Sequence, residues 1–225
     1  MISKVSLVST ALSALSAFFA LMSVSPVAAA QDVAAGQAKA AMCIGCHGIH
    51  GYQASFPEIH KVPMISGQTG KYIVAALNAY KKGDRKHPTM RGIAVTLTDT
   101  DMADLAAFYE GQRPSSLKAV ADTPAVQPSA EVAALLTKGA CASCHGANYS
   151  KPIDGSYPKL AGQHADYLLV ALKSYRVEAN PQIGRNNAIM GAQVKPFTNN
   201  ELRAMAKYLA SLPGDLSVVP QSKFR

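Results

Sequence analysis

The sequence predicts an all-α protein built from two tandem domains. Three observations carry this reading. Four blocks of sequence recur in one order at an offset near one hundred residues. Apolar positions inside each copy keep helical rather than alternating spacing. Each copy also holds the same short pattern, C-x-x-C-H. The chain has 225 residues, 48% of them apolar, with 22 Lys+Arg against 14 Asp+Glu. That composition excludes a disordered chain, and the length excludes a disulfide-dense miniprotein.

Residues 1–30 read as an export leader. Lys4 precedes an uncharged stretch from Val5 to Val24, Pro26 breaks it, and Ala28-Ala29-Ala30 leads to Gln31. A positive start, an apolar middle and a small-residue exit make a cleaved signal peptide. The competing reading is a retained anchor, since the stretch nearly reaches bilayer length. Its Ser content and its exit favour cleavage, which leaves 195 residues at a formal +7. The expected location is the periplasm, an oxidising compartment.

The N-terminal domain, residues 31–113, opens on an Ala-rich helix at 32–42 that runs into Cys43-Ile44-Gly45-Cys46-His47. V-P-M-I-S-G-Q follows at 62–68. Tyr72, Ile73, Ala76, Leu77 and Tyr80 then mark a helix by their spacing. Residues 81–97 read as a long loop. Thr98-x-x-Asp101 resembles a capping box and opens a third helix, a hydroxyl satisfying an orphan N–H and an acid sitting at the positive end. Residues 114–129 hold Pro114, Pro124 and Pro128 and read as an extended linker.

The C-terminal domain, residues 130–225, repeats this order. An Ala-rich helix at 130–140 meets Cys141-Ala142-Ser143-Cys144-His145, and Y-P-K-L-A-G-Q follows at 157–163. Tyr167, Leu168, Ala171, Leu172 and Tyr175 form the second helix, 176–197 a second long loop, and Thr198-x-x-Glu201 the second capping box. No β alternation is evident. Domains this small and loop-rich have little core of their own, so something else should fill each centre.

The cysteine pattern says what. C-x-x-C-H is the attachment signature of c-type haem. On a helical turn, residues i and i+3 share a face, so two thiols reach the two vinyl groups of one porphyrin. The residue at i+4 lies near that face and presents its imidazole to the iron. Cys43 and Cys46 would hold the first haem with His47 as ligand, and Cys141 and Cys144 the second with His145. Two disulfides, a zinc knuckle or a dithiol redox pair would use the same cysteines. None of these requires a His after both pairs.

The duplication sorts candidates for the sixth ligand. Met90 lies 43 residues after His47, and Met190 lies 45 after His145. The other methionines, such as Met64, Met102 and Met205, have no counterpart, nor have His50, His60, His87 and His164. Two matched methionines in equivalent positions point to His/Met coordination. Pro63 and Pro158 each begin P-x-[IL]-x-G, and their carbonyls could accept the other N–H of His47 and His145. A rigid turn is the plainer reading. Arg85 and Arg185 both stand five residues before the methionine, suited either to a haem propionate or to solvent. The paired helix tyrosines belong to the core, their hydroxyls within reach of propionates or of the other domain.

These features together resemble the dihaem cytochrome c4 family over essentially the whole chain after the leader. The resemblance implies two class I cytochrome c domains about a pseudo-twofold axis, each wrapped around one covalent haem. It implies an electron carrier of the respiratory chain rather than an enzyme. Its partners would be redox proteins, such as a cytochrome bc complex as donor and a terminal oxidase as acceptor, with a contact at the membrane face. Two departures stand out, Ile49-His50 before Gly51 and Lys195-Pro196 after Met190, and neither touches an expected ligand.

Charge adds a direction. Residues 31–113 carry a net +2 and residues 114–225 a net +5, so the C-terminal half should dock the more acidic partner. The basic balance does not indicate nucleic acid, because no basic run interleaves with aromatics. No small-molecule substrate is expected either. Dihaem peroxidases and thiosulfate dehydrogenases share the doubled motif, but both methionines in place argue for closed iron sites. The nearer rival is the dihaem electron-accepting subunit of a flavocytochrome, such as a sulfide dehydrogenase.

Overall fold

The computed structural model describes residues 31–220, and the expected leader lies outside them. In the N-terminal domain, Asp32 caps α1 (Val33–Lys39) by accepting from Ala34 and Ala35 N–H. The Ala-rich run bends at Ala40, so α2 (Ala41–His47) is a separate helix carrying the first cysteine motif. The two-residue strands β1 (Gln53–Ala54) and β2 (His60–Lys61) pair antiparallel. Next come α3 (Gly70–Lys82), which stops at Gly83 in a left-handed conformation (φ 85), and β3 (Arg85–Lys86). They lead to α4 (Pro88–Ala94) and to α5 (Asp99–Glu110).

The C-terminal domain follows the same plan. It contains α6 (Ala130–Lys138), α7 (Cys141–His145), α8 (Ala165–Ser174), β4 (Gly184–Arg185), α9 (Ala188–Val194) and α10 (Asn199–Ser211). Both capping boxes close: Asp101 and Glu201 return a side-chain bond to Thr98 and Thr198 N–H. Among the described residues no helix is long and apolar enough to cross a membrane.

Two expectations need correction. The stretches at 81–97 and 176–197 are not simple loops, since α4 and α9 lie within them. Each is one seven-residue helix, too short to show a clear apolar period. Strands are also present, but two-residue ladders cannot display alternation.

Each domain has its own core. Ile73, Met102, Leu105, Ala106 and Phe108 gather on α3 and α5 in one, with Leu97 just before α5. Leu136, Leu168, Leu202, Met205 and Leu209 gather on α6, α8 and α10 in the other, with Phe197 just before α10. In the N-terminal domain α1 lies tightly on α5, because Gly36 offers no side chain; a Cβ there would sit 2.1 Å from Asp104 O. Lys39 Nζ closes that contact at 2.8 Å from Asp101 and 2.9 Å from Asp104.

The domains meet through equivalent residues. β3 pairs antiparallel with β4, Arg85 opposite Arg185. Gln68 Nε2 donates to Lys159 O at 3.1 Å, and Gln163 Nε2 donates to Met64 O at 2.9 Å. Residues 64 and 159 are themselves counterparts, so the contact is self-complementary, as across a twofold axis. Glu58 accepts from Lys173 Nζ at 2.8 Å. After α10 the chain returns to the N-terminal domain: Ser217 N–H donates to Ser66 O at 3.1 Å, and Asp215 takes Arg113 and Lys159. Residues 114–129 form no helix or strand. They are pinned to the C-terminal domain by Asn148 on Ala121 O and Tyr208 on Val126 O.

Candidate functional site

Both cysteine motifs lie on short helices, and all four thiols are free and half-buried. The sequence alternative of two disulfides is therefore absent. Cys43 and Cys141 each pack against the core of their domain. Burial pushes both thiols up, so they are neutral near pH 7.

The following histidines share one geometry. His47 Nδ1 lies 2.8 Å from Pro63 O, and His145 Nδ1 lies 2.9 Å from Pro158 O. A carbonyl accepts only, so Nδ1 carries the proton and Nε2 keeps its lone pair. Burial lowers both pKa values, more strongly than the carbonyl contacts raise them. Each ring is thus a neutral imidazole held in the tautomer a metal ligand needs.

Met90 and Met190 take the same place in α4 and α9. Each is the third residue of its helix, and its N–H is capped from the residue before the helix. His87 Nδ1 accepts from Met90 N–H at 3.4 Å, and Asn187 Oδ1 accepts from Met190 N–H at 2.9 Å. His87 therefore does have a functional counterpart, though not a histidine. Met190 packs against its domain core.

Arg85 and Arg185 are not solvated loop cations. Arg85 is 9% exposed. It donates through Nη1 to Tyr72 OH at 3.1 Å and through Nη2 to Tyr167 OH at 2.6 Å, the second across the domain boundary. Arg185 Nη2 reaches the same Tyr167 hydroxyl at 3.1 Å. Burial alone would push Tyr167 up, but the two guanidiniums outweigh it and bring the hydroxyl down to about 8. Neither arginine takes part in an ion pair among the described residues, and Arg85 Nε is buried without a partner.

A buried guanidinium without an anion is costly. Carboxylate arms from a group seated in each domain would supply the missing charge. With thiol pairs, neutral imidazoles and orphaned cations, the residues present fit two c-type haems. Sequence reasoning overlooked the caps on the methionines and the two buried glutamines, Gln68 and Gln163. The recurrence of G-Q at the end of both matched blocks was the signal that could have found the glutamines.

Comparison with known proteins bears on the family and the fold. The sequence profile of the cytochrome c family matches twice, at residues 33–111 and 129–213. Cytochrome c4 of Azotobacter vinelandii is 32% identical over 163 residues, covering 67% of this chain and 76% of that protein. A thiosulfate dehydrogenase electron acceptor from Stutzerimonas stutzeri strain A1501 is 29% identical over 157 residues, covering 67% of this chain and 70% of its own. The crystal structure of reduced recombinant cytochrome c4 from Pseudomonas stutzeri superposes with a TM-score of 0.58 at 28% identity. That match covers 81% of this chain and all of the other.

Proposed function

The chain belongs to the cytochrome c family, in the dihaem cytochrome c4-like form of two tandem domains that transfer electrons, and on that premise we propose that it shuttles single electrons in the periplasm between a respiratory donor and an acceptor. A cytochrome bc complex is one such donor, and a terminal oxidase one such acceptor. Cys43, Cys46, Cys141 and Cys144 hold two haems, and His47, Met90, His145 and Met190 ligate their irons. Bound haem supplies an iron that cycles between ferric and ferrous states. The protein's part is to keep each site closed. Pro63 and Pro158 fix the imidazole rings, and His87 and Asn187 cap the turns that carry Met90 and Met190. An imidazole and a thioether both supplied by the chain would leave no open position for a substrate, and little rearrangement would accompany a change of charge. Thioether ligation favours the ferrous state over bis-His ligation.

The observation that carries this reading is the matched pair of sites: the same tied imidazole and the same capped methionine in both domains. The ferric near-infrared methionine-to-iron charge-transfer band, quantified per haem, tests it together with carbon monoxide binding to the reduced protein. Two full bands and no carbon monoxide binding are expected. Half the band, or prompt binding at one iron, would overturn the carrier reading in favour of an enzyme.

A second reading concerns the donor. The similarity to a thiosulfate dehydrogenase electron acceptor supports a dehydrogenase as the alternative donor. The flavocytochrome sulfide dehydrogenase considered from the sequence is a second dehydrogenase of this kind. Stopped-flow reduction by each candidate donor separates them. The net charge of +5 beyond residue 113 supports docking of the more acidic partner at the C-terminal half. An on-rate that does not fall with rising ionic strength would sink that assignment. The apolar start of the sequence supports export, and a contact at the membrane face is part of the same proposal.

A further inference from the structure

Gln68 and Gln163 are among the most enclosed polar side chains of the protein, at 3% and 4% exposure. Each crosses to the other domain and grips one residue at two points. Gln163 Oε1 accepts from Met64 N–H at 3.0 Å while its Nε2 donates to Met64 O at 2.9 Å. Gln68 Oε1 accepts from Lys159 N–H at 3.0 Å while its Nε2 donates to Lys159 O at 3.1 Å. Each Oε1 also accepts the N–H of the next residue in its own chain, Thr69 or His164, which fixes the amide.

The N–H of Met64 and the C=O of Pro63 belong to one peptide group. That carbonyl is the one that accepts from His47 Nδ1 at 2.8 Å. The same holds for Lys159 N–H, Pro158 O and His145 Nδ1 at 2.9 Å. One planar, conjugated unit therefore takes a hydrogen bond on its oxygen from the histidine and gives one from its nitrogen to the opposite domain. Hydrogen bonds in such a chain polarise one another, so an acceptor at N–H makes the carbonyl a better acceptor. A better acceptor at Nδ1–H makes the imidazole a stronger donor to a metal on Nε2.

We propose that Gln163 is a positioning residue for His47 and Gln68 for His145, so that each domain sets the ligand strength of the other. This rests on the reading of His47 and His145 as iron ligands. Stronger imidazole donation favours the ferric state, so each glutamine lowers the potential of the site across the interface. By linkage, a partner that pries the domains apart raises both potentials, and reduction of either site loosens the interface.

The test uses the intact holoprotein with Gln163→Met, Gln68→Met and Gln163→Glu. Spectroelectrochemical titration gives the two one-electron steps, each assigned to its domain through the hyperfine-shifted methyl of its axial methionine. Gln163→Met should raise the N-terminal step alone, and Gln68→Met the C-terminal step alone. Cooperative strengthening of 10–30% per bond suggests about a threefold change in the reduced-to-oxidised ratio at fixed ambient potential. That is about 28 mV at 59 mV per tenfold for one electron. Gln163→Glu keeps an acceptor at Met64 N–H and should leave the N-terminal step at or below its original position. It preserves the test if Gln163→Met folds poorly. A merely structural glutamine would shift its own domain, both steps equally, or neither, and any of these overturns the inference while the axial bands stay intact. Absence of the methionine band from the unaltered protein would instead overturn the ligand assignment, and the inference with it.

Discussion

Replacing Asp215 with Ala should loosen the two domains at one corner without touching either core. Asp215 follows α10, yet its carboxylate takes Arg113 Nε at 2.6 Å and Lys159 Nζ at 3.0 Å. The carboxylate is 16% exposed, and its partners are 32% and 17% exposed. A fully exposed pair contributes about 0.2–1 kcal/mol, and a charged hydrogen bond shielded from water about 1.5–3 kcal/mol. Partial exposure puts each of these near the boundary, at about 1 kcal/mol, so the variant should lose about 2 kcal/mol. Lys159 keeps a bond to Gly67 O at 2.8 Å, which prevents a larger loss from an orphaned cation.

For a chain of this length, that loss lowers Tm by about 4–8 °C. Urea unfolding of Asp215→Ala, Arg113→Ala and the double variant should return a coupling of about 1 kcal/mol. A coupling below about 0.3 kcal/mol would show that the backbone bridge at Ser66–Ser217 holds the corner unaided. The pH dependence fixes the sign. Burial raises the Asp215 carboxyl, but its bonds to Arg113 and Lys159 prevail and hold it below the ordinary value. A depressed carboxyl contributes fully above its unfolded pKa and loses that contribution as pH falls through its folded one. The gap between the original protein and Asp215→Ala should be full at pH 7 and shrink below about pH 4. A gap that widens in acid would refute the assignment.

Three further outcomes are expected. Gly36→Val places atoms within 2.1 Å of Asp104 O and should cost about 3 kcal/mol by forcing α1 off α5, read as a lower urea midpoint. Thr198→Ala opens the capping box of α10 and should cost about 1 kcal/mol, with Thr198→Ser restoring most of it; equal losses in both variants would exclude the cap as the cause. Tyr167→Phe removes the hydroxyl that accepts from both Arg85 and Arg185, and should weaken the interface by about 1–3 kcal/mol in thermal unfolding, whereas Tyr72→Phe, which relieves only Arg85, should cost less.

The duplicated blocks made the architecture legible from sequence, because three of the four mark a helix that recurs in space and the fourth marks the turn that meets the histidine. Thr98 and Thr198 announced α5 and α10 by chemistry that acts within four residues. The same locality explains what was hidden. Helices α4 and α9 depend on a side-chain cap three residues before the methionine, supplied once by His87 and once by Asn187, so the residue types do not match. The burial of Arg85 and Arg185 follows from the meeting of two domains, which no local pattern encodes. Pro63 and Pro158 stood out because proline punctuates a turn, but their carbonyl contacts depend on where the chain brings His47 and His145. Gln68 and Gln163 look like surface residues by type, and only their partners across the interface reveal them.

The interface joins like to like. Arg85 stands opposite Arg185, and Gln68 and Gln163 grip each other's matched backbone. These matched contacts treat both domains alike, but Tyr167 accepts from both arginines, and Glu58–Lys173 and the Asp215 cluster have no counterpart among the described residues. The copies diverge further in the charge carried by α5 and α10. Asp99, Asp101, Asp104 and Glu110 stand on α5 with no basic residue, and Lys39 beside them is already held by two of those acids. On α10 the single acid Glu201 is tied into its cap, while Arg203 and Lys207 add two positive charges. Screening limits such fields to about 8 Å at physiological salt, so a docking partner senses the helix it meets and little of the other domain. Exchanging Arg203 and Lys207 for neutral residues should therefore change the ionic-strength dependence of partner reduction while leaving the contact between the domains intact, read as an unchanged urea midpoint.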